Sequence, residues 1–136
     1  MKKTAVILLI IPVLFCCGFI FKRREKPVIL LSSNVITKDT AQVIENVFEV
    51  QSRIYLMLYS KDGFKYPAVR MQITKQDDKV SNWGFSLISA KNIYLDTSSN
   101  AYRDYIYLRQ PGHYIVQFFY VNNKDYPFAH REFKVL

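Results

Sequence analysis

The chain has 136 residues, half of them hydrophobic, and it contains only four glycines and five prolines. This composition suits a single folded domain and excludes a disordered or fibrous protein. The formal net charge is +8 at pH 7, but 13 basic and 10 acidic residues lie from Pro27 onward, so most of the excess precedes them. A nucleic-acid-binding face needs clustered Lys and Arg, and we therefore expect no nucleic-acid partner.

An apolar segment with basic flanks comes first in the chain. It runs from Ala5 to Phe21 and is interrupted only by Pro12 and Gly18. As a helix it would be about 25 Å long, which is close to the lower limit for crossing a bilayer. The basic flanks consist of Lys2, Lys3, Lys22, Arg23, Arg24 and Lys26. Such charges are typical of a membrane interface.

Three interpretations of this segment stay open. A cleaved signal peptide needs small residues before the cut, and Cys16-Cys17-Gly18 is the only such site, with three more apolar residues behind it. A lipid anchor at Cys17 would need a lipobox, which the preceding Leu14-Phe15-Cys16 matches loosely. An uncleaved transmembrane helix needs only its length and its charged ends. The last two alternatives tether the domain to a membrane, and we expect the domain to face out of the cytoplasm.

The sequence therefore divides into an anchor or signal segment (1–21), a basic linker (22–27) and one domain (28–136). Both cysteines, Cys16 and Cys17, lie in the first part. The domain itself thus has neither a disulfide nor a thiol site, and the cysteine count leaves its compartment undetermined. Because the linker is short, we expect the domain to lie close to the membrane surface.

The domain shows a two-residue alternation of apolar and polar side chains, which is typical of half-buried strands. The alternation is clearest in 44–51, 53–59 and 69–74. Further strands are predicted at Val28–Leu31, Trp83–Ile88, Asn92–Leu95, Tyr102–Arg109, His113–Asn122 and Phe128–Leu136. Turn-forming residues separate these segments. Seven to nine short strands predict an all-β fold, an antiparallel immunoglobulin-like β-sandwich.

The segment Leu108–Phe118, LRQPGHYIVQF, resembles the turn and strand at one corner of immunoglobulin-like sandwiches. In that arrangement Pro111 and Gly112 form the turn. Tyr114 covers the core while its hydroxyl group bonds to the backbone at the corner. The resemblance implies a structural corner made of these three residues and no activity.

The whole chain resembles small bacterial lipoprotein-type β-sandwich domains of unknown function. The resemblance lies in the basic and apolar start, in Phe48–Ser60, in Tyr66–Lys75 and in the segment PGHYIVQF. It implies a membrane-anchored immunoglobulin-like domain and assigns no functional residues.

Motifs for catalysis or cofactor binding are absent from the sequence. There is no Gly-x-Ser-x-Gly elbow, no cysteine paired with a histidine and no glycine-rich phosphate loop. His113 and His130 each stand alone in a predicted strand. The pair Asp77-Asp78 offers too few oxygen ligands for calcium. We expect no enzyme, no cofactor and no metal site.

Aromatic residues fall on the predicted outer face of two strands. If Ile54 and Ile106 face the core with their alternating neighbours, a second set faces outward. The outward set consists of Tyr55, Met57, Tyr59, Tyr105, Tyr107 and Arg109. Tyrosine and arginine are enriched where proteins bind partners, so we take these residues as partner-binding candidates. The alternative is that tyrosine is present only because it is a good strand former.

These features together predict a non-enzymatic, membrane-tethered β-sandwich outside the cytoplasm that binds a protein partner at the bacterial envelope. One form of it is an immunity-type protein that occludes a toxin. A first alternative is a carbohydrate- or peptidoglycan-binding module whose tyrosines stack on sugar rings. A second is an accessory subunit of a membrane complex, in which the apolar segment makes the contacts.

Overall fold

Eight β-strands in two sheets make up the computed structural model, which describes residues 25–41, 45–77 and 84–136. The strands are β1 (Val28–Ser32), β2 (Val47–Phe48), β3 (Arg53–Tyr59), β4 (Ala68–Gln76), β5 (Phe85–Tyr94), β6 (Ala101–Tyr107), β7 (Gly112–Tyr120) and β8 (Ala129–Val135). One sheet has the order β1-β3-β6, and the other has the order β2-β8-β7-β4-β5.

The predicted all-β sandwich is confirmed, and its eight strands fall within the predicted range of seven to nine. The sheets are not purely antiparallel, because the two-residue strand β2 pairs in parallel with β8. The predicted helix of residues 1–21 and the cysteine candidate Cys17 lie outside the described residues. In the described parts of the chain, no helix has the length and apolar character needed to span a membrane.

The core lies between the two sheets and is built from alternate residues of each strand. Its fully buried large side chains are Leu31, Ile54, Leu56, Leu58, Val69, Val116, Phe118 and Val135. Full burial of one such side chain stabilises the folded state by about 1.5–3 kcal/mol. Aromatic rings fill the space beside them, with Tyr114 stacked on Phe133 at 5.7 Å between ring centroids. The alternation read from the sequence therefore marks the core positions of β3 and β4 correctly.

Strand β7 is apolar on both faces because it is the central strand of the larger sheet, between β8 and β4. Its inward residues Tyr114, Val116 and Phe118 belong to the core. On the opposite face Phe119 is also buried, and Ile115 is half-buried. Residues of β8 and β4 flank these two side chains within the sheet, and the polar residues His113 and Gln117 lie on the same outer face.

Two strand boundaries differ from the sequence-based prediction. The segments Trp83–Ile88 and Asn92–Leu95 were expected as separate strands, whereas Phe85–Tyr94 is one continuous strand, β5. A bulge opposite Ile73 and Thr74 shifts its register. The bulge interrupts the two-residue period of an edge strand that is exposed along most of its length, and this hides the strand in the sequence. Of the segment predicted as a strand at 44–51, the described residues 45–51 form a strand only at Val47–Phe48.

Candidate binding surface

The turn between β6 and β7 has the geometry of a tyrosine corner. The Tyr114 side chain is buried, and its hydroxyl group donates a hydrogen bond of 2.7 Å to the carbonyl oxygen of Gln110. Burial of the ring raises the pKa of this hydroxyl group. Pro111 is exposed in the turn. Gly112 has a φ of +150°, a backbone conformation that residues with a Cβ atom rarely adopt. The corner fixes the direction in which β6 ends and β7 begins.

The outer face of the three-stranded sheet carries most of the aromatic candidates, and we call it the tyrosine face. Successive side chains of a strand point to opposite faces. Because Ile29, Ile54 and Ile106 belong to the core, the residues that alternate with them face outward. The tyrosine face consists of Val28, Leu30 and Ser32 of β1, Arg53, Tyr55, Met57 and Tyr59 of β3, and Ala101, Arg103, Tyr105 and Tyr107 of β6.

Strand register brings four of the tyrosine-face side chains together. Tyr55 lies opposite Tyr105, and Arg53 lies opposite Tyr107. The guanidinium carbon of Arg53 is 5.2 Å from the centroid of the Tyr105 ring, a cation–π contact. At an exposed site such a contact stabilises by about 0.5–1 kcal/mol. It also holds the arginine against the sheet, with its charge still accessible to a partner.

Three tyrosines are exposed on the face, together with Val28 at its edge. Tyr105 is 51% exposed, Tyr107 49% and Tyr59 39%, whereas Tyr55 is half-buried between its neighbours. Arg53 and Arg103 are exposed on the same face. None of the outward-facing residues of its three strands carries a carboxylate. The face therefore combines exposed aromatic rings with unopposed positive charge.

The expectation that Met57 is presented to a partner is wrong. Met57 lies on the outer face, as the alternation indicated, but only 6% of it is exposed. Strand β3 is central in its sheet, and Leu30 of β1 and Arg103 of β6 stand opposite Met57 on either side. A central-strand residue with long neighbours on both sides is covered by them. Met57 therefore supports the face from below and offers little surface of its own.

Arg109 lies beyond the end of β6, in the turn before β7, and is exposed. It lines a cleft of about 310 Å³ together with Tyr107, Leu108, Gln110, Tyr114 and Ile88 of β5. This cleft connects the far end of the tyrosine face with the edge strand β5. Arg109 thus belongs to the rim of the face and not to its centre.

A polar contact that the sequence analysis did not predict closes the side of the sandwich between β5 and β6. The ammonium group of Lys91 on β5 donates a hydrogen bond to Asp104 Oδ2 on β6. The Tyr102 hydroxyl group donates to the same oxygen at 2.9 Å, and the Tyr105 backbone N–H donates to Oδ1 at 2.8 Å.

These contacts set the ionisation of Asp104 and Tyr102. Burial alone would raise the pKa of Asp104, but the hydrogen bonds from Lys91, Tyr105 and Tyr102, with the charge of Lys91, outweigh it, so the pKa is lowered. Burial, followed by the hydrogen bond to the Asp104 carboxylate, raises the pKa of Tyr102 far above its ordinary value. Asp104 is therefore ionised and Tyr102 neutral at any physiological pH.

The described residues do not bring together three side chains of His, Cys, Asp or Glu that could hold a metal ion. His113 lies on β7 and His130 on β8, and both are exposed. Asp77 accepts a hydrogen bond of 3.3 Å from the Ser86 hydroxyl group, and Asp78 lies outside the described residues.

Solved structures with a similar fold include the soluble domain of PmoD from Methylocystis sp. ATCC 49242 (Rockwell), with a TM-score of 0.50 and 12% sequence identity over 81% of this chain and 90% of that one. An immunoglobulin-like protein (PA1606) from Pseudomonas aeruginosa gives a TM-score of 0.48 at 8% identity, over 84% and 99% of the two chains. No protein-family model and no curated protein sequence matches the chain. The chain shares the fold of the PmoD soluble domain, and its strand order and tyrosine corner make it an immunoglobulin-like β-sandwich.

Proposed function

We propose that this domain is a non-enzymatic binding module, tethered outside the cytoplasm to a bacterial membrane, that binds a protein partner through its tyrosine face. One observation carries the proposal: Tyr59, Tyr105 and Tyr107 are exposed on one rigid sheet, beside Arg53 and Arg103 and with no acidic residue on that face.

The chemistry of the face favours a protein with an acidic surface. Tyrosine supplies a large contact area and loses little conformational entropy on binding, and arginine can hold a carboxylate through two parallel hydrogen bonds. The positive charges of Arg53 and Arg103 lack a carboxylate on their own face. A partner with exposed Asp and Glu would supply it. An immunity-type protein that occludes a toxin is one form of such a module.

The chain enters the sandwich at one end of the tyrosine face. Lys61 Nζ lies 2.9 Å from Glu25 Oε1, and the Glu25 backbone N–H donates to Asp62 Oδ2 at 3.2 Å. These contacts place Glu25, which belongs to the predicted linker, at the β3–β4 turn. Val28 then pairs with Tyr59, so among the tyrosines of the face Tyr59 lies at the end where the described chain enters the sandwich.

Tyr107 lies at the opposite end of the face. Tyr107 stands opposite Arg53. Arg53 and Tyr59 are the two ends of β3, and at ~3.3 Å per residue they are about 20 Å apart. If residues 1–21 tether the domain, the end of the face with Tyr107 and Arg53 points away from the membrane. A partner can reach that end without contacting lipid.

The sugar-binding alternative has less support from this geometry. Stacking on a sugar needs a free ring face, and the Arg53 guanidinium group covers one face of the Tyr105 ring. Tyr107 alone would make a small platform. The accessory-subunit alternative would depend on residues 5–21, which lie outside the described residues.

Photo-crosslinking in cells tests these proposals together. The full chain carries a photoreactive residue in place of Tyr107, and the matched control carries it at Tyr126, which is 78% exposed in the segment between β7 and β8. We expect a protein adduct at position 107 and none at position 126. A glycan adduct at position 107 would favour the sugar module. A protein adduct at position 107 that disappears when residues 5–21 are replaced by an unrelated transmembrane helix would favour the accessory subunit. Equal labelling at positions 107 and 126 would contradict binding at the tyrosine face.

A further inference from the structure

Strand β5 forms one edge of the five-stranded sheet and pairs only with β4 among the described strands. Its backbone groups alternate between β4 and the open side, as in any antiparallel ladder. The Leu95 backbone N–H donates to the Pro67 carbonyl oxygen at 2.6 Å, and this bond sets the phase of the alternation. Counting back in steps of two, Ile93, Lys91 and Ser89 turn their backbone groups toward β4. Tyr94, Asn92 and Ala90 turn theirs to the open side.

The part of β5 before its bulge, residues 85–87, shows the same alternation of backbone direction. The Asp77 backbone N–H donates to the Gly84 carbonyl oxygen at 2.6 Å, so Phe85 and Leu87 also direct their backbone groups to the open side. All residues with outward backbone groups in this strand are uncharged. The strand also exposes large apolar side chains, namely Phe85 (47%), Leu87 (57%), Ile88 (46%) and Tyr94 (83%).

Native edge strands are protected by charge, by proline, by bulges or by inward-pointing charged residues, and β5 has one bulge and one such residue, Lys91. It contains no proline, and Lys91 is its only charged residue. Lys91 stands opposite the core residue Met71, and its ammonium group is bound by Asp104 of the other sheet. An inward-pointing charge opposes the pairing of another strand at an edge, but here the Asp104 carboxylate neutralises the charge of the lysine. The bulge limits the regular part of the edge to residues 89–94.

We infer that the edge of β5 binds β5 of a second copy of this chain, antiparallel and symmetric about Asn92. In that register Asn92 faces Asn92 of the second copy, and Tyr94 faces Ala90 at both ends. Each of these outward pairs exchanges both of its backbone hydrogen bonds. The large ring of Tyr94, which is 83% exposed, lies over a residue small enough to leave room for it, and the two asparagine amides can hydrogen-bond to each other.

The self-pairing follows from the order of side chains along the regular segment. The three outward positions are occupied by Tyr94, Asn92 and Ala90. A two-fold axis through Asn92 therefore sets Tyr94 of each copy opposite Ala90 of the other. Lys91, on the inner side of the strand, is paired with Asp104; on the outer side the nearest positive charges, Arg70 and its equivalent, stand opposite Asn92 on β4 of each copy. Three strand spacings separate them, which is about 14 Å at ~4.7 Å each and exceeds the screening length of about 8 Å at physiological salt.

The association joins the two larger sheets through β5, whereas the tyrosine face lies on the outer side of the smaller sheet. One pair of edge strands buries less surface than a stable dimer usually does, so we expect a dissociation constant on the order of micromolar.

Sedimentation of the full chain in detergent, over a range of protein concentrations, tests the inference. We expect a reversible monomer–dimer equilibrium in the wild type. Asn92→Lys places two like charges opposite each other at the two-fold axis, and we expect the dissociation constant to rise about fivefold or more. The control Tyr126→Lys adds the same charge at an exposed residue outside β5 and should leave the equilibrium unchanged. Circular dichroism confirms that both variants are folded.

A disulfide trap gives an independent measurement. In a chain with Cys16→Ser and Cys17→Ser, Asn92→Cys places two cysteines at a Cα separation of about 5.5 Å, which a disulfide can span. We expect a covalent dimer under mild oxidation, and none from Tyr126→Cys in the same background. A wild type that stays monomeric at about 100 μM, far above the expected constant, would overturn the inference. So would association that Asn92→Lys leaves unchanged, or an edge that captures only a different protein.

Discussion

Asp104 of β6 binds Lys91 of β5 across the open side of the sandwich, and the Tyr102 hydroxyl group and the Tyr105 backbone N–H donate to the same carboxylate. One acidic side chain thus connects the edges of the two sheets. Each of its partners is a donor, so the contact depends on the carboxylate being ionised. This connection lies beside the tyrosine face and fixes the position of the strand that carries Tyr105 and Tyr107.

Replacement of Asp104 by Asn should destabilise the domain and change its response to acid. Loss of hydrogen bonds to a charged group costs about 1–2 kcal/mol. The folded-state pKa of Asp104 is lowered, so its contribution is fully present above the unfolded pKa of about 3.9 and disappears as the pH falls through the folded value. Urea unfolding should show a large loss in the variant at pH 7 and a smaller difference from the wild type near pH 3. The control Asp125→Asn, in an exposed turn, should be as stable as the wild type at both pH values. If Asp104→Asn lost the same stability at pH 3 as at pH 7, the ionised carboxylate would not be the source of the stabilisation.

Gly112→Val should damage folding through the corner. At φ +150° a side chain is strained, and a Cβ atom would stand 2.6 Å from Cε of Lys75. We expect a loss of about 2 kcal/mol in the free energy of unfolding, measured as a shift of the denaturation midpoint. Adding Lys75→Ala removes the contact and leaves the backbone strain, so most of the loss should persist. A melting temperature equal to that of the wild type would show that the corner does not need glycine.

Met57→Ala separates packing from binding on the tyrosine face. Met57 is buried beneath its neighbours, and truncation of a buried methionine costs about 2 kcal/mol or more. Chemical denaturation should therefore show a clear loss of stability. Tyr59→Ala is the matched variant, because Tyr59 is more exposed than Met57, and it should lose less stability. The reverse order of stabilities would mean that Met57 is accessible after all.

The double variant Tyr55→Ala with Tyr107→Ala should keep the fold and lose affinity for the protein captured at position 107. Truncating tyrosines at the centre of an interface costs about 2 kcal/mol or more, which corresponds to a roughly thirtyfold weaker dissociation constant. Calorimetric titration measures it, with Tyr126→Ala as the control. Affinity for an acidic partner should also fall as salt is added. Unchanged binding by a double variant with normal circular dichroism would remove the face from consideration.

Alternation along the chain was sufficient to place most of the tyrosine face. It assigned Ile54, Leu56 and Leu58 to the core and Tyr55, Met57 and Tyr59 to the outside, because side-chain direction in a strand has a period of two. It could not show that Met57 is covered while Tyr59 is open. That difference comes from the strands on either side, and the pairing of Met57 with Leu30 and Arg103 joins residues far apart in the chain.

The polar contact at Asp104 and the open edge of β5 were equally hidden. Nothing local distinguishes Lys91 or Asp104 from other charged residues in strands. The same holds for Arg53, whose contact with the Tyr105 ring requires β3 and β6 to be paired in one register. Register between distant strands depends on how the whole core packs, and no short window of sequence contains that information.

The sequence by itself determined the class of fold, the corner at Gln110–Tyr114 and the face on which each regular strand residue lies, since these follow from turn chemistry and from a two-residue period. Only the tertiary structure decided which strands are central and which form edges. That choice exposes Tyr105 and Tyr107, buries Met57 and leaves β5 with one partner strand among the described residues. The reason is physical: side-chain direction is a local property of the backbone, whereas exposure depends on neighbours that the fold brings from elsewhere in the chain.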